Sequence, residues 1–265
     1  MAGRYLSYKK SLLHYETMGA GTKILIMFHG FGQDHQAFAS FSDTLSDTYT
    51  LYVFDLYFHG KSTWGYGELP LEKQHWKETM AAFLKEAEIK KFSLAGFSLG
   101  GKFVLATLEA FPEKIESTFL LAPDGIKTSF WYSLATYPIL FRRIFKSMIR
   151  HHQRFMTISR GLHALNLMDK GLIRFAENQM NTEEKRHRVY CSWVVFRRLK
   201  FNMNDIAAII NKNEIQVTLI TGKYDKVIEA ENMNRLVKRL KKYRLEIVES
   251  GHNGLILESA RFLKL

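Results

Sequence analysis

The chain has 265 residues, of which 46% are hydrophobic and 24% charged, proportions that exclude a disordered or fibrous protein. Lys and Arg outnumber Asp and Glu by 38 to 26, a net +12 that raises nucleic-acid, anionic-membrane and acidic-substrate readings until the excess is located. The one cysteine, Cys191, excludes an internal disulfide and a cysteine-rich zinc site, and Met1 to Lys10 is too polar for a signal peptide, so the expected compartment is the cytoplasm.

In chain order, Tyr5 to Lys9 and Leu12 to Glu16 read as an opening hairpin, and Gly19-Ala20-Gly21 as a turn into the run Lys23 to Phe28. That run is apolar on both faces, as strands of a sheet covered on both sides are. Similar runs follow at Leu51 to Phe54, Phe92 to Ala95, Thr118 to Leu121, Val217 to Ile220 and Leu245 to Val248. Helical patterns lie between them at Leu71 to Ala87, Lys102 to Phe111 and Ala230 to Lys242. Alternating strands and helices with short loops predict an α/β fold, a doubly wound and mostly parallel sheet of about eight strands.

The alternation breaks once. From about Gly125 to Ile210 the pattern is helical and rich in aromatics and methionine, among them Phe130, Trp131, Tyr132, Phe141, Phe145, Met148, Phe155, Met156, Trp193 and Phe196. Residues 125–210 hold fifteen Lys and Arg against five Asp and Glu, so nearly all of the net charge sits there. The expected domains are a sheet domain over 1–124 and 211–265 and a helical, basic insertion over 125–210. The longest uncharged stretch near the middle, Thr128 to Phe141, is shorter than the roughly 18 residues of a membrane span.

Gly96-Phe97-Ser98-Leu99-Gly100 places G-x-S-x-G between a predicted strand and a predicted helix. A serine hydroxyl is a poor nucleophile unless a sharp turn holds it toward a base, and such a turn needs flanking positions with almost no side chain. The helix that follows favours an oxyanion at its N-terminus. The Leu99 N–H is one expected donor, and the Phe31 N–H, in His29-Gly30-Phe31-Gly32 after the Lys23 to Phe28 strand, is the second. His29 itself reads as a turn histidine that satisfies backbone groups.

Of ten histidines, His252 is the expected base: it follows the Leu245 to Val248 strand in a glycine-flanked loop and comes after Ser98 in the chain. His151, His152, His163 and His187 lie in the insertion, and His29, His35 and His59 precede the serine. Asp225, after the Val217 to Ile220 strand, is the expected orienting carboxylate, with Asp124 as rival because an acid after the preceding strand also reaches the imidazole.

These motifs together resemble the α/β-hydrolase superfamily. His29 to Gly32 is similar to its oxyanion loop, Asp55-Leu56-Tyr57-Phe58-His59-Gly60-Lys61-Ser62 to its D-x-x-G-H-G-x-S turn, and Gly96 to Gly100 to its nucleophile elbow. Phe58 departs from the glycine usual in that turn. The resemblance implies a helical cap inserted after the sixth strand, and a serine hydrolase cleaving a carboxylic ester through an acyl-enzyme. Carbon–carbon bond hydrolysis, thioester hydrolysis and ligand binding without turnover are the alternatives, since one fold serves many chemistries. No metal or organic cofactor is implied. The expected partner is a small acyl substrate and not nucleic acid. The segment Phe141 to Arg154, with Arg142, Arg143, Lys146, Arg150 and Arg154 among aromatics, reads first as an amphipathic cap helix. Recruitment of an anionic substrate and a peripheral membrane contact are further readings.

Overall fold

The computed structural model describes residues 3–128, 130–151, 153–154, 157, 161 and 179–263. The predicted insertion residues His152, Phe155, Met156 and His163 therefore lie outside the described residues. The chain divides into two compact units, one of residues 1–66, 72–127 and 199–265, the other of 67–71 and 128–198.

The first unit is built on a sheet of nine strands: β1 (Arg4–Tyr8), β2 (Ser11–Met18), β3 (Lys23–Phe28), β4 (Tyr49–Phe54), β5 (Thr63–Trp64), β6 (Phe92–Phe97), β7 (Ile115–Leu121), β8 (Gln216–Gly222) and β9 (Arg244–Val248). Their order is β1-β2-β4-β3-β6-β7-β8-β9, with β5 paired to β2. The pairs from β4 through β3, β6, β7 and β8 to β9 are all parallel. The hairpin β1–β2 enters antiparallel, with Leu6 opposite Leu13, and β2 joins β4 antiparallel. All six residues of β6 are buried, as expected for a central strand with both faces covered.

Helix α1 (Ala39–Leu45) lies on one side of the sheet, and α2 (Lys73–Glu86) and α3 (Gly100–Ala110) lie on the opposite side. Trp76, Thr79, Met80, Phe83 and Leu84 form the buried stripe of α2, at the i, i+3, i+4, i+7 spacing of one helix face. Trp76 packs edge-on against Phe28 and Phe103 with centroids 5.6 and 4.9 Å apart, and its indole N–H donates to Thr107 Oγ1 at 2.9 Å. Met27, the next residue back from Phe28, belongs to a core on the other side with Phe38, Phe41, Leu45 and Leu255. Adjacent residues of one strand thus anchor opposite layers. Each such side chain contributes about 1.5–3 kcal/mol relative to exposure.

Several elements differ from expectation, among them short helices over Ala39–Leu45 and Leu255–Ser259 that no predicted pattern covers. The two-residue strand β5 is too short to leave an alternating pattern. The predicted continuous helix from Ala230 to Lys242 is instead a 3₁₀ turn over Ala230–Met233 and a single α turn at Asn234–Val237. Two causes end it. Lys238, Arg239, Lys241 and Lys242 are like charges at neighbouring helical positions, and Asn211 takes the backbone with its side chain, donating to Arg239 O and accepting from Lys241 N, both at 2.9 Å.

The second unit contains helices over Phe130–Thr136, Ile139–Arg150 and Glu183–Val195. In the Ile139–Arg150 helix, Phe145 and Ile149 are buried one turn apart, with Phe145 5.5 Å from both Tyr190 and Trp193. Ile139, Leu140, Phe141 and Ile144 of the same helix are exposed. Glu68 pairs with Lys146 and accepts from the Tyr190 hydroxyl at 2.9 Å. Among the described residues, no helix is long and apolar enough to cross a membrane.

Candidate active site

Parallel strands running the same way present all their carboxyl ends at one rim, where loops can bring together residues distant in sequence. Ser98 follows β6, Asp225 follows β8, and His252 follows β9.

Ser98 has φ of +49°, a left-handed conformation uncommon for a residue with a side chain. The turn around it is fixed by backbone bonds: Ser98 N–H donates to Leu121 O at 2.9 Å, and Ser98 O accepts from Gly101 and Asp124 N–H at 2.9 and 2.8 Å. The glycines are required by space. A Cβ at Gly100 would lie 2.0 Å from Phe28 O, and one at Gly96 would lie 2.6 Å from Val104 Cγ2 and 2.7 Å from Gly100 O. The close approach of β3, β6 and α3 that holds the serine outward thus tolerates no side chain at either position.

His252 Nε2 lies 3.0 Å from Ser98 Oγ, and His252 Nδ1 lies 2.6 Å from Asp225 Oδ2. Asp225 is buried, and its other oxygen accepts from Val227 and Ile228 N–H at 2.8 and 2.9 Å. With Oδ1 committed to the backbone, Oδ2 is left to accept from Nδ1–H, the tautomer that presents the lone pair of Nε2 to the serine hydroxyl. The imidazole packs beside Phe97, centroids 4.9 Å apart. The three residues singled out from sequence thus form one hydrogen-bonded line, Ser98–His252–Asp225. Asp124 is placed elsewhere: it pairs with the buried Lys102 at 3.1 Å and accepts from Gly125 N–H at 2.7 Å.

Near the end of β3, Gly30 N–H donates to Gln33 Oε1 at 2.9 Å, which closes the turn that carries Phe31. Among the described residues, neither the Phe31 nor the Leu99 N–H has an internal acceptor. His29 is fully buried. It accepts from Leu56 N–H through Nε2 at 3.0 Å and donates through Nδ1 to Gly30 O at 2.7 Å. Burial lowers its pKa to about 4, against the raising effect of Gly30, so the ring is neutral and purely a brace between two loops.

Phe58 has φ of +68°, so this phenylalanine adopts the left-handed conformation usually left to glycine. Gly60, two residues on, has φ of +51°, and a Cβ there would lie 2.0 Å from Asp55 Oδ2. Sequence reasoning missed two contributors to this architecture. Gln33 left no motif. Asp55, the first residue of the Asp55 to Ser62 turn, forms a buried cluster with His14 and His35, and neither histidine left a motif that announces the pairing.

A family profile for the alpha/beta hydrolase fold matches residues 23–259, and the chain belongs to that family. It is 35% identical over 89 residues to a pimeloyl-[acyl-carrier protein] methyl ester esterase of Proteus mirabilis, covering 34% of this chain and 32% of the relative. It is 28% identical over 113 residues to a dihydrolipoyllysine-residue acetyltransferase component of an acetoin cleaving system from Cupriavidus necator, covering 43% and 30%. These alignments span about a third of the relatives' own lengths. A solved thermophilic esterase from Thermogutta terrifontis superposes with a TM-score of 0.71 at 14% identity, covering 99% of this chain and 95% of that one, a likeness of fold. The chain is therefore an α/β hydrolase with relatives of esterase type.

Proposed function

We propose that the protein is a serine hydrolase that cleaves a carboxylic ester through an acyl-enzyme, with Ser98 as nucleophile, His252 as base and Asp225 as its orienting acid. The observation that carries this reading is the single imidazole within hydrogen-bonding reach of both Ser98 Oγ, at 3.0 Å, and Asp225 Oδ2, at 2.6 Å. His252 takes the hydroxyl proton as Ser98 attacks the ester carbonyl, and Asp225 stabilises the resulting imidazolium. The Leu99 and Phe31 N–H groups receive the charge that develops on the carbonyl oxygen, so they bind the tetrahedral intermediate more strongly than the planar ester. His252 then protonates the leaving alcohol, and a water activated by the same imidazole releases the acid. The residues require no metal or cofactor for these steps.

Ester-hydrolysing relatives support the reaction class, and the charge of the helical unit supports an anionic substrate: residues 128–198 hold thirteen Lys and Arg against four Asp and Glu. A fluorophosphonate probe should label wild-type protein at Ser98, and short p-nitrophenyl esters should turn over. Absence of both labelling and turnover in folded protein removes the reading. Raising salt should lower kcat/KM for an anionic ester more than for a neutral one, and an equal response removes the anionic preference.

A further inference from the structure

The Ile139–Arg150 helix of the second unit has more apolar surface than its packing uses. It is twelve residues long and contains four Lys and Arg but no Asp or Glu, and no acidic residue occurs between Asp124 and Asp169. At 3.6 residues per turn its side chains sort into three faces. Phe145 and Ile149 are buried one turn apart, with Phe145 5.5 Å from both Tyr190 and Trp193. This face holds the helix to its unit.

The second face is apolar and open to solvent. Leu140, Ile144 and Met148 follow one another at four-residue steps, and Phe141 lies beside them. Leu140 is 66% exposed, Ile144 43% and Phe141 42%, while Met148 is half-buried. Apolar residues exposed singly are ordinary, but contiguous ones along a helix mark a contact surface. The third face is basic: Arg142, Arg143, Lys146 and Arg150 fall within about 100° of arc. Ile139, at the start of the helix, lies among them.

Part of that basic face is uncommitted. Lys146 pairs with Glu68, and Arg142 lies within electrostatic reach of the same carboxylate. Arg143 and Arg150 are exposed, and among the described residues neither has an ion-pair or hydrogen-bond partner. Ser147 stands between the basic face and the strip of Leu140, Ile144 and Met148. Arg154 reaches back to donate to Ser147 Oγ, which sets a further guanidinium at that border. Cations thus line one long edge of an exposed apolar strip.

We propose that this helix docks the protein on an anionic lipid surface, with Leu140, Phe141 and Ile144 entering the boundary between headgroups and acyl chains and Arg143, Arg150 and Arg154 meeting the lipid phosphates. A helix lying in the plane of an interface has this arrangement, apolar side chains toward the acyl region and Lys or Arg at headgroup level. A bilayer accepts convex apolar side chains without a groove shaped to receive them, whereas a protein partner must supply complementary surface. Charge disfavours a second copy of the chain, because a two-fold contact through the strip brings the basic edges of both helices together. A small dissolved ester accounts for basic charge but not for an exposed apolar strip. Docking goes beyond the proposed ester hydrolysis and does not depend on it.

The test is co-sedimentation of full-length protein with vesicles of phosphatidylcholine alone and of phosphatidylcholine mixed with phosphatidylglycerol. Partition into the anionic vesicles should exceed that into the neutral ones by about tenfold or more and fall as salt is raised. Leu140→Ser combined with Ile144→Ser should weaken binding to the anionic vesicles by about tenfold. Arg143→Gln combined with Arg150→Gln should weaken it by about 25-fold, roughly fivefold per charge. All four positions are exposed, so both variants should keep the circular dichroism of the wild type. Ser98→Ala should bind vesicles as the wild type does while turnover is lost, which separates docking from hydrolysis. Absence of binding to the anionic vesicles overturns the proposal, as does equal binding to both vesicle types or unchanged binding in the Leu140→Ser, Ile144→Ser variant. A wild-type dimer that this variant dissolves, in the absence of vesicle binding, overturns it too and assigns the strip to a second copy.

Discussion

The sheet-bearing unit and the helical unit use polar groups in opposite ways. In the first, Asp225, Asp55 and His29 are buried, and each has its hydrogen-bonding capacity committed to backbone N–H and C=O groups or to a neighbouring imidazole. Their positions follow from strand ends and cannot drift separately from the sheet. In the second, Glu68 and Lys146 pair with side chains 43% and 42% exposed, and apolar residues of the Ile139–Arg150 helix face solvent. Exposed pairs of this sort gain little. The comparison teaches that fixed chemistry belongs to the first unit, whereas the second carries charge and adaptable surface.

The contrast fails if the largest losses of activity do not come from the first unit. Ser98→Ala should lower kcat by about 10⁴-fold or more, leaving the rate that binding and the oxyanion donors provide alone, measured with a p-nitrophenyl ester. Asp225→Asn should preserve the geometry while favouring the wrong imidazole tautomer, at a cost of about 10⁴-fold in kcat; a loss under tenfold would show that Asp225 does not orient the base.

Stability sharpens the comparison next. His29 has a folded pKa of about 4, below the roughly 6.5 of an unfolded histidine, so between these values the unfolded chain binds the extra proton. Stability from this residue is complete above about pH 6.5 and is lost as pH falls toward 4, by on the order of 3 kcal/mol. Urea unfolding across that window should show it, and His29→Gln should flatten the slope. The smallest effect belongs to the helical unit. Burial raises the Glu68 carboxyl, but Lys146 and Tyr190 outweigh it and leave the pKa lowered; with both partners substantially exposed, Glu68→Gln should cost at most about 1 kcal/mol. Its kcat on a neutral ester should stay within about twofold, and a larger drop would erase the division of labour.

Much of this arrangement was legible in sequence because it rests on local signals. Gly96, Ser98 and Gly100 announce a strand-to-helix turn, and the apolar runs around Phe28, Phe54 and Leu94 announce buried parallel strands. What stayed hidden depends on partners distant along the chain. The break of the Ala230 to Lys242 helix is set by Asn211, and the choice between Asp124 and Asp225 turns on Lys102, which holds Asp124. The left-handed Phe58 is a departure from local preference that the surrounding turn imposes, and no periodicity foretells it.

The strand β9 closes one side of the sheet, bonded to β8 alone, and of its five residues only Val248 is fully buried. The loop that brings His252 to the serine begins at the next residue, Glu249. An edge strand frays before a central one, so the imidazole rides on the rim while Ser98 rides on the interior. Activity of the proposed serine hydrolase should therefore fall on heating before the core melts, as the His252–Ser98 contact opens at the rim, and should return on cooling.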